Sequence, residues 1–511
     1  MKAMVHVETK VRLPFLWGRS VFRKKSWSKV NLIVGPNGSG KTLLAESLAE
    51  QFRAAGFGTF FLHSERGNQE ELLEILRTDS AVREKIAAVL SGMFGKAIRF
   101  EERAGGSVVP IVENRNMGLE YSLNDGECHG LREIITLLVA LYGTGGCLVI
   151  DEPELHLHPQ FQLYFMNEIR RVSAENPDRI FILITHSPFF IDLRFPEDLV
   201  GVVVCHINRA PTHIESLSPD DELLFQRFLP RFNTYHKQFF FSDNQIFVEG
   251  YTDQQMFSAL LGLVGGASAG TGIIDVGGKD ELGVFCKVCS LLGTDGRIIS
   301  DLDSLFSGKL RDVMCADRRV AEWLERQYEK QLPFYRSLFS SKELKTAVTM
   351  DRLICRLELF LVNIGNSVCG MKGQLPDEIS LFAEKVRSLA ERHENVEGLD
   401  TYKTVILQGV AGLGERLSEF LPLPLAATVP LVRNLASLVT AAAESARIYI
   451  LPAGCIEHYY TQNRISYMPV SGKDRLFHAE LMHILETKPD SLRGEYPGLV
   501  SVLERACSLS V

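Results

Sequence analysis

The chain has 511 residues, of which 46% are hydrophobic and 23% are charged, and its formal net charge is −8. This length accommodates two to four domains of about 100–200 residues each, and the composition excludes a disordered chain, a collagen-like chain and a small disulfide scaffold. The net negative charge excludes a protein that coats nucleic acid through its overall charge. Nucleic acid would have to meet a local basic surface or a metal ion.

The ends of the chain and its apolar stretches bear on cellular location. The first residues, MKAMVHVETK, lack the apolar core of about 7–15 residues that a signal peptide needs. The apolar stretch at 420–432 is interrupted by Pro422, Pro424 and Pro430, whereas a membrane helix needs about 20 apolar residues without such breaks. We expect a cytoplasmic protein with no membrane span.

A phosphate-binding loop follows the first clear strand. The β-rich run KVNLIV at 29–34 leads into GPNGSGKT at 35–42 and then into the helical pattern LLAESLAEQF. This is the G-x-x-x-x-G-K-[ST] pattern in its strand-to-helix setting. Backbone N–H groups surround the phosphates, Lys41 reaches their β and γ oxygens, and Thr42 binds magnesium. The predicted ATP-binding residues are Asn37, Gly38, Ser39, Gly40, Lys41 and Thr42.

Two further apolar strands end in residues suited to ATP hydrolysis. The run at 147–150 ends at Asp151 and Glu152; Asp151 is predicted to hold magnesium, and Glu152 is predicted to orient the attacking water as general base. The run at 180–184 ends at Thr185-His186-Ser187. His186 then lies at the carboxyl edge of a parallel sheet, where ligands bind, and is predicted to sense the γ-phosphate rather than to be only structural.

A second set of acidic residues occurs in the other half of the chain. The strand QIFV ends at Glu249, Asp253 follows on the first turn of a helix, and the strand RIIS ends at Asp301-Leu-Asp303. Acids at neighbouring strand ends can reach one cation, although an Asp-x-Asp alone is more often a turn or a cap. Their hard oxygen atoms suit Mg²⁺ or Mn²⁺, and two such ions about 4 Å apart would promote phosphodiester cleavage.

The intervening and following segments are less specific. Lys279 follows a glycine turn and could be no more than a surface residue. The Phe-rich passage at 227–241 is interpreted as a helical connector with packed rings, the alternative being a basic and aromatic surface that faces DNA. Amphipathic stretches predict a helical insertion at about 305–447, after which a strand returns at 448–451.

Two motifs carry a resemblance to known families. The segment SLNDGE at 122–127, with Asn124 at the position of the usual serine, resembles the signature loop of ABC-type ATPases. With the run DEPELHLHP at 151–159, the first half resembles an ABC ATPase head of the SMC, RecF and OLD branch. Glu249 followed 52 residues later by Asp301-x-Asp303 (301 − 249) resembles the Toprim domain of topoisomerases, primases and OLD-family nucleases.

The whole chain resembles the OLD (overcoming lysogenization defect) family, which also includes the nuclease of Gabija-type phage defence. The resemblance implies an α/β protein, with an ABC-type P-loop ATPase head at 1–240 and a Toprim domain, a Rossmann-like α/β fold with a helical insertion, at 241–511. It also implies that Asn124 and Gly126 complete the ATP site of a second subunit, so a homodimer or larger homo-oligomer is expected. In OLD-family Toprim domains an Ile-Glu-x-Tyr element after the insertion supplies a metal ligand, here Glu457.

A lysine downstream often completes such nuclease sites by neutralising phosphate charge. Lys473 is the nearest candidate and Lys488 competes with it. The predicted catalytic residues are Glu152, His186, Glu249, Asp301, Asp303 and Lys473, and the predicted metal ligands are Thr42, Asp151, Glu249, Asp253, Asp301, Asp303 and Glu457.

These features predict an ATP-regulated, divalent-metal-dependent DNA endonuclease or nickase that uses ATP and Mg²⁺, with Mn²⁺ as an alternative at the nuclease site. A companion defence protein or nucleic acid is a further expected partner, and the family implies bacterial anti-phage defence. The alternative is a non-cleaving ATP-dependent sensor that signals to a separate effector. Such a sensor would be expected to lack some of Glu249, Asp301 and Asp303, and all three are present.

Overall fold

The computed structural model describes residues 4–66, 69–95, 97–103, 108–114, 117–122, 129–241, 244–268, 270–294, 296–391, 396–461 and 472–508. The chain forms two compact units, the first comprising Met1–Asp243 with Leu291–Thr294 and the second Asn244–Ser290 with Asp295–Val511. Each unit contains its own mainly parallel sheet. This is the architecture expected when fully apolar strands alternate with helices.

The first unit is organised around a six-stranded sheet. The strands described in this unit, within the six-stranded sheet and outside it, are β1 (Val5–Val11), β2 (Phe22–Trp27), β3 (Val30–Val34), β4 (Thr59–Leu62), β5 (Ala97–Glu102), β6 (Val108–Asn114), β7 (Leu119–Ser122), β8 (Cys147–Asp151), β9 (Ile180–Ile184), β10 (Val202–His206) and β11 (Arg209–His213). The main sheet has the order β11-β10-β3-β9-β8-β4, and only β11 pairs antiparallel within it. Because β3, β9 and β8 are neighbours, the segments that follow them lie at one edge.

The helices of the first unit cover this sheet. They are α1 (Pro14–Trp17), α2 (Lys41–Ala54), α3 (Gln69–Thr78), α4 (Ser80–Phe94), α5 (His129–Gly143), α6 (Pro159–Glu175) and α7 (Pro219–Phe228). Leu44, Leu48 and Phe52 recur at a four-residue spacing along α2 and are buried in a core shared with β3 and β8. This spacing gives α2 one apolar face and fixes the start of the helix directly after the phosphate-binding loop.

The Phe-rich passage after α7 is packed within the first unit. Short 3-10 turns cover Leu229–Arg231 and His236–Phe241, and the rings of Phe232, Phe239 and Phe240 are buried. The Phe232 and Phe239 rings meet edge to face with centroids 5.8 Å apart. These buried rings support the packing interpretation, because a buried ring cannot present its face to a base.

The second unit contains a four-stranded parallel sheet with the order β13-β12-β14-β15. Its strands are β12 (Gln245–Val248), β13 (Gly272–Asp275), β14 (Gly296–Ser300) and β15 (Ile448–Ile450). Its helices are α8 (Tyr251–Leu261), α9 (Lys279–Leu292), α10 (Lys309–Ala316), α11 (Arg318–Leu338), α12 (Met350–Cys369), α13 (Asp377–Ala390), α14 (Val396–Leu413), α15 (Glu415–Ser418), α16 (Leu423–Ala426), α17 (Thr428–Ser445), α18 (Lys473–Glu486), α19 (Pro489–Glu495) and α20 (Pro497–Cys507).

The regular structure described between β14 and β15 is helical. In α12 the buried residues Leu353, Leu357, Leu361 and Ile364 follow a helical period and form one apolar stripe. These helices separate two neighbouring strands in the sequence, because β15, which pairs with β14, comes only after α10 to α17. This arrangement places the helical insertion directly after the Asp301-Leu-Asp303 segment.

One helical stretch in the insertion, Leu423–Ser445, has the length and mean hydropathy, 1.4, of a membrane span, and 33% of it is buried. A core helix of a soluble protein meets the same criteria. In α17 the residues Val429, Val432, Leu435 and Val439 are buried. The stretch therefore matches a span by length and composition alone.

Candidate nucleotide site and candidate metal centre

The phosphate-binding loop lies between β3 and α2 and depends on its glycines. Gly35, Gly38 and Gly40 all have positive φ angles, of 139°, 78° and 85°. A Cβ atom on Gly35 would lie 2.3 Å from the backbone oxygen of Cys205, so a larger residue would displace β10. Lys41 is buried and its Nζ donates hydrogen bonds to the carbonyl oxygens of Gly35 (3.1 Å) and Pro36 (2.9 Å). The lysine is thus held along the loop that the sequence predicts to surround phosphates.

Asp151 at the end of β8 lies directly against the start of α2. The Thr42 hydroxyl donates a 3.0 Å hydrogen bond to Asp151 Oδ2. Asp151 Oδ1 is buried and has no hydrogen-bond partner in the described part of the chain. Burial raises the pKa of Asp151, and the Thr42 hydrogen bond opposes this effect. A hydroxyl beside an unpaired carboxylate oxygen is a donor set that fits Mg²⁺.

Glu152 follows in a strained conformation that a neighbouring arginine supports. Its φ angle of 47° is unusual for a residue with a side chain. Arg66 donates hydrogen bonds to the backbone oxygens of Asp151 (2.9 Å) and Glu152 (3.0 Å) and forms a buried ion pair with Glu133 of α5 (2.5 Å). Strain of this kind costs about 1–3 kcal/mol and occurs at functional sites. Arg66 and Glu133 are residues that the sequence reasoning missed.

His186 is positioned by a second acid, Glu154, to which the sequence assigned no role. Glu154 accepts hydrogen bonds from the His186 backbone N–H (2.6 Å) and from the Thr185 hydroxyl (2.8 Å). Burial, and then the nearby charge of Lys41, lower the pKa of His186 to about 4. The imidazole is therefore neutral near pH 7, so it can donate one hydrogen bond without adding a full charge.

The acids of the second unit meet at the carboxyl edge of its sheet. Glu249 follows β12 and Asp301 follows β14, which pair as neighbours. Ligand oxygens of Glu249, Asp301 and Asp303 all lie within 4.8 Å of one another. Glu249 Oε1 accepts hydrogen bonds from the hydroxyls of Ser300 (2.7 Å) and Ser304 (3.3 Å) and from the Asp301 backbone N–H (3.2 Å). These donors fix the carboxylate in place and could not be identified from the Asp-x-Asp motif.

Electrostatic repulsion within this group of acids is strong. Burial raises the pKa of Asp253 to about 7, with additional contributions from Glu249 and Glu457. Burial also raises the pKa of Asp301 well above its usual value, and the charges of Glu249 and Asp253 add to the shift. Such shifts arise because carboxylates that lie close together in a desolvated site disfavour one another's charge. A divalent cation is the ligand that would relieve this repulsion.

A lysine contacts an acid on each side of the group. Lys473 at the start of α18 lies 2.8 Å from Glu457 Oε1, and Lys279 at the start of α9 lies 3.0 Å from Asp303 Oδ2. Burial would raise the pKa of Glu457, but hydrogen bonds from Cys455 and Lys473 outweigh it and the pKa is lowered. Asp303 Oδ1 is buried and lacks a hydrogen-bond partner among the described residues.

The two candidate lysines and the signature loop have different outcomes. Within the described residues, Lys473 contacts an acid of the site, whereas Lys488 precedes α19 as its N-cap. Lys279, for which the sequence indicated no role beyond that of a surface residue, contacts Asp303. Asn124 and Gly126 lie outside the described residues, so their predicted role remains a prediction.

Two family models match separate parts of the chain. Residues 240–303 match the family described as "Overcoming lysogenization defect protein-like, TOPRIM domain". Residues 128–192 match the family described as "AAA domain, putative AbiEii toxin, Type IV TA system". The first match includes Glu249, Asp253, Asp301 and Asp303, and the second includes Asp151, Glu152 and His186.

Individual relatives cover parts of the chain. An OLD nuclease of Thermus scotoductus (strain ATCC 700910 / SA-01) is 26% identical over 292 residues, which are 51% of this chain and 52% of that nuclease. The chain thus spans about half the length of this curated relative. The SMC head domain from Thermotoga maritima has a TM-score of 0.26 at 15% identity and covers 41% of this chain and 100% of that one.

The archaeal ribosome recycling factor aABCE1, in its complex with the ribosomal stalk protein aP1, has a TM-score of 0.23 at 15% identity, with 38% and 40% of the two chains covered. TM-scores this low add nothing to the description of either unit.

The matches and the two sheets define a class of protein, in which a P-loop ATPase head is followed by an OLD-like Toprim domain. The predicted α/β fold class is confirmed. Within that class, the predicted resemblance to the OLD family is confirmed by its Toprim match and by the OLD nuclease of Thermus scotoductus. The relationship to the Gabija-type nuclease stays a prediction.

Proposed function

We propose that this chain is an ATP-regulated, divalent-metal-dependent endonuclease or nickase that acts on DNA. The observation that carries the proposal is the convergence of Glu249, Asp301 and Asp303, whose ligand oxygens lie within 4.8 Å of one another. Carboxylates in this number favour Mg²⁺ or Mn²⁺. The unpaired Asp303 Oδ1 and the raised pKa of Asp301 both fit a cation ligand set. The similarity to an OLD nuclease supports the same reaction.

The residues of the Toprim domain have distinct roles in this proposal. Glu249, Asp301 and Asp303 hold the cation, and Asp253 and Glu457 contribute further carboxylates at the same edge. A bound divalent ion supplies charge stabilisation at the phosphate and activates water. The Lys473 side chain is 60% exposed and its ammonium group contacts Glu457, so a phosphate of the incoming strand can reach a cation next to the acids. Lys279 supplies a second ammonium group beside Asp303.

The ATPase head regulates cleavage in this proposal. Asn37 to Thr42 surround the phosphates, Thr42 and Asp151 hold Mg²⁺, and Glu152 orients water for slow hydrolysis of ATP. The neutral His186 imidazole hydrogen-bonds the γ-phosphate. Because the segment 122–127 resembles a loop that completes the site of a second subunit, ATP binding would join two copies of the chain.

The wider setting rests on family resemblance and is part of the proposal. OLD-type proteins imply bacterial anti-phage defence. A homodimer or larger homo-oligomer is proposed from the resemblance of segment 122–127 to a signature loop, and a cytoplasmic location is proposed with it. A companion defence protein or nucleic acid would complete the system. DNA is the proposed substrate because the matched relative is a nuclease.

Plasmid cleavage by the purified chain with Mg²⁺ or Mn²⁺ tests the nuclease assignment. We expect cleavage by the wild-type chain and loss of cleavage in Asp301→Asn. Asp312→Asn, which changes an exposed acid on α10, is the matched control and should cleave normally. Full activity of Asp301→Asn would contradict the assigned site. Metal and DNA binding without any cleavage would support the non-cleaving sensor instead.

The Glu152→Gln variant tests the head separately. Removing the carboxylate that orients water should leave ATP binding intact, so the variant should retain ATP and accumulate as a dimer. Nucleotide retention and molecular mass by light scattering measure the two effects. Unchanged ATP turnover would exclude Glu152 as the general base.

A further inference from the structure

One helix of the insertion, α14, contacts both segments that carry the acids of the metal centre. Three polar residues of this helix are buried, namely Asp400, Lys403 and Gln408. A buried polar side chain is costly unless it is hydrogen-bonded, so each of them should have a specific partner. The partners of Asp400 and Gln408 lie at two places, one just after Asp303 and one just before Glu457.

At the first place, α14 holds the residues that follow Asp303. The hydroxyl of Ser307, four residues after Asp303, donates a short hydrogen bond to Asp400 Oδ2. Lys403 Nζ lies 5.7 Å from the centre of the Phe306 ring and forms a 2.7 Å ion pair with Glu358 of α12. A compact set of charges therefore attaches the segment after Asp303 to α14.

At the second place, α14 holds the residues that precede Glu457. Gln408 Nε2 donates a 2.7 Å hydrogen bond to the backbone oxygen of Ala453, four residues before Glu457. The contact is so close that a Cβ atom on Gly454, whose φ is +126°, would lie 1.8 Å from Gln408 Nε2. Only glycine allows the backbone to approach the amide at this point.

The two acid-bearing segments also contact each other. The Leu302 backbone N–H, between the two aspartates, donates a 2.9 Å hydrogen bond to the Gly454 oxygen. The pairing of β14 with β15 and a 2.9 Å hydrogen bond from the Leu451 N–H to the Ser300 oxygen hold the strand ends together. Beyond the strand ends, the Leu302 bond links the two segments. Because Asp400 and Gln408 lie on the same helix, α14 holds both segments at once. It thereby fixes the distance of Asp301 and Asp303 from Glu457.

We propose that α14 is a positioning element for the metal centre, with Gln408 and Asp400 as its positioning residues. The insertion thereby acts on chemistry at the sheet edge although it supplies no candidate metal ligand of its own among the described residues. This inference rests on the proposed function for its catalytic consequence. Its consequence for metal binding can be tested without cleavage.

The test is Mn²⁺ binding to the nucleotide-free full chain by isothermal titration, with Asp301→Asn as the blank that removes the Toprim site. Residues that orient metal ligands typically change metal affinity by about 10- to 100-fold when substituted. We expect Gln408→Leu to weaken Mn²⁺ binding by about 10-fold or more and to lower kcat for cleavage with little change in KM for DNA. Asp400→Asn, which can still accept the Ser307 hydrogen bond, should bind Mn²⁺ better than Asp400→Leu.

Leu324→Ala on α11 is the control for general loss of stability, because it removes buried apolar volume from another helix of the insertion. It should lower the melting temperature and leave Mn²⁺ affinity unchanged. Wild-type affinity in Gln408→Leu would overturn the positioning role of α14. Absence of Mn²⁺ binding by the wild-type chain would overturn the metal centre itself, and with it the proposed function.

An independent observation concerns an exposed aromatic ring beside the acids. Tyr251 lies between Glu249 and Asp253 in the sequence and is 60% exposed. Its ring meets the ring of Phe477 edge to face, with centroids 6.1 Å apart. Phe477 is buried and supports the tyrosine from behind.

Lys473 lies one helical turn before Phe477 on the same face of α18 and contacts Glu457. The exposed ring, an ammonium group and the acids are therefore neighbours. Proteins that bind single-stranded nucleic acid combine exposed aromatic rings, which stack on bases, with cations that meet the phosphates.

We infer that Tyr251 stacks on an unpaired base next to the cleaved phosphate, so the preferred substrate has a single-stranded or frayed segment at the cut. This inference also rests on the proposed function. It predicts tighter binding of a single-stranded oligonucleotide than of a blunt duplex of the same sequence.

The test is oligonucleotide binding by fluorescence anisotropy in Ca²⁺, followed by cleavage in Mn²⁺. Loss of one base–aromatic stack is worth about 5- to 150-fold in affinity. We expect this loss for Tyr251→Ala and near wild-type binding for Tyr251→Phe. Phe15→Ala, which removes a 73% exposed ring from the ATPase head, is the matched control and should have no effect.

An abasic substitution at each position of the oligonucleotide sharpens the test. At the position that stacks on Tyr251, removal of the base should weaken wild-type binding but cause no further loss in Tyr251→Ala. Wild-type affinity in Tyr251→Ala, or additive losses at every position, would overturn the stacking role. Failure of the wild-type chain to cleave any DNA would instead contradict the proposed function.

Discussion

The two sites of this chain use the same edge of a parallel sheet in different ways. In the head, one continuous segment supplies most of the site, and Lys41 and Thr42 already have partners in Gly35, Pro36 and Asp151. In the Toprim domain, acids from three separate segments meet, and their charges repel one another.

The difference follows from the charge of the ligand. A phosphate is bound by backbone N–H groups, which any well-formed loop provides locally. A cation requires several carboxylates at one point, and their mutual repulsion must be offset by the rest of the fold and by the ion. The nucleotide site should therefore tolerate loss of its metal better than the Toprim site does.

Single substitutions should separate the activities of the two sites. Asp301→Asn should lower DNA cleavage by about a thousandfold or more, because a catalytic metal contributes several kcal/mol to the reaction, and should leave ATP hydrolysis unchanged. Asp151→Asn should lower both activities, since ATP regulates cleavage. Parallel assays of phosphate release and plasmid cleavage measure this asymmetry. Equal loss of ATP hydrolysis in the two variants would remove the distinction.

The next effect tests the support of the nucleotide site. Removing one partner of a buried ion pair leaves the other charge unpaired, at a cost of about 3–5 kcal/mol. Arg66→Met should therefore destabilise the head by at least about 3 kcal/mol in denaturant unfolding and should also slow ATP hydrolysis. The double variant with Glu133→Leu should recover part of the stability. Wild-type stability of Arg66→Met would mean that Arg66 does not support Asp151 and Glu152.

Removal of divalent metal should destabilise the Toprim domain more than the nucleotide-free head. A ligand at a hundred times its dissociation constant stabilises the folded state by about 2.7 kcal/mol. Adding Mn²⁺ to metal-free protein should raise the melting temperature of the Toprim domain, and Asp301→Asn should abolish the increase. Calorimetry measures the melting temperatures. An increase that persists in Asp301→Asn would show that the stabilising ion binds at another place.

A smaller effect is expected at Lys279. Its ammonium group lies 3.0 Å from Asp303 Oδ2 and its side chain is 25% exposed, so solvent weakens the ion pair. A charge-assisted hydrogen bond contributes roughly 1.5–3 kcal/mol, and the exposure places this one near the lower end. Lys279→Met should slow cleavage by about 10-fold, and Lys279→Arg should be less impaired. Normal rates in Lys279→Met would make this lysine a surface residue after all.

A pH-dependent effect is expected at His186. Its pKa is about 4 in the folded chain and 6.5 without the fold, so the unfolded chain binds the proton first as the pH falls. The contribution of the neutral His186 to the stability of the fold is therefore lost as the pH falls from 6.5 to 4, and it does not change above pH 6.5. The difference in melting temperature between wild type and His186→Asn should change across this window. A difference that is constant with pH would contradict a neutral, half-buried imidazole.

The residues that sequence could identify are those whose chemistry is local. The loop from Gly35 to Thr42 could be predicted because phosphate binding needs glycines, a lysine and a threonine at fixed spacing. Asp151 could be predicted because it stands at the end of an apolar strand. The α/β fold class follows from the same alternation of strands and helices. Glu249 and Asp301 could be paired because two strand ends and a known spacing pointed to one edge.

The supporting residues could not be found in this way, because their partners are distant in sequence. Arg66 contacts Glu133, Lys279 contacts Asp303 and Gln408 contacts Ala453. Each partner is determined by the direction of a side chain in the folded chain. Glu154 lay within a predicted motif, yet only its hydrogen bonds to Thr185 and His186 identify its role.

The most direct measurement is the anomalous scattering of Mn²⁺ in crystals of the full chain. We predict anomalous density between Glu249, Asp301 and Asp303, and loss of that density in crystals of Asp301→Asn. Saturating Mn²⁺ that gave density at other sites, and none among these three carboxylates, would contradict the claim that the acids form a metal centre.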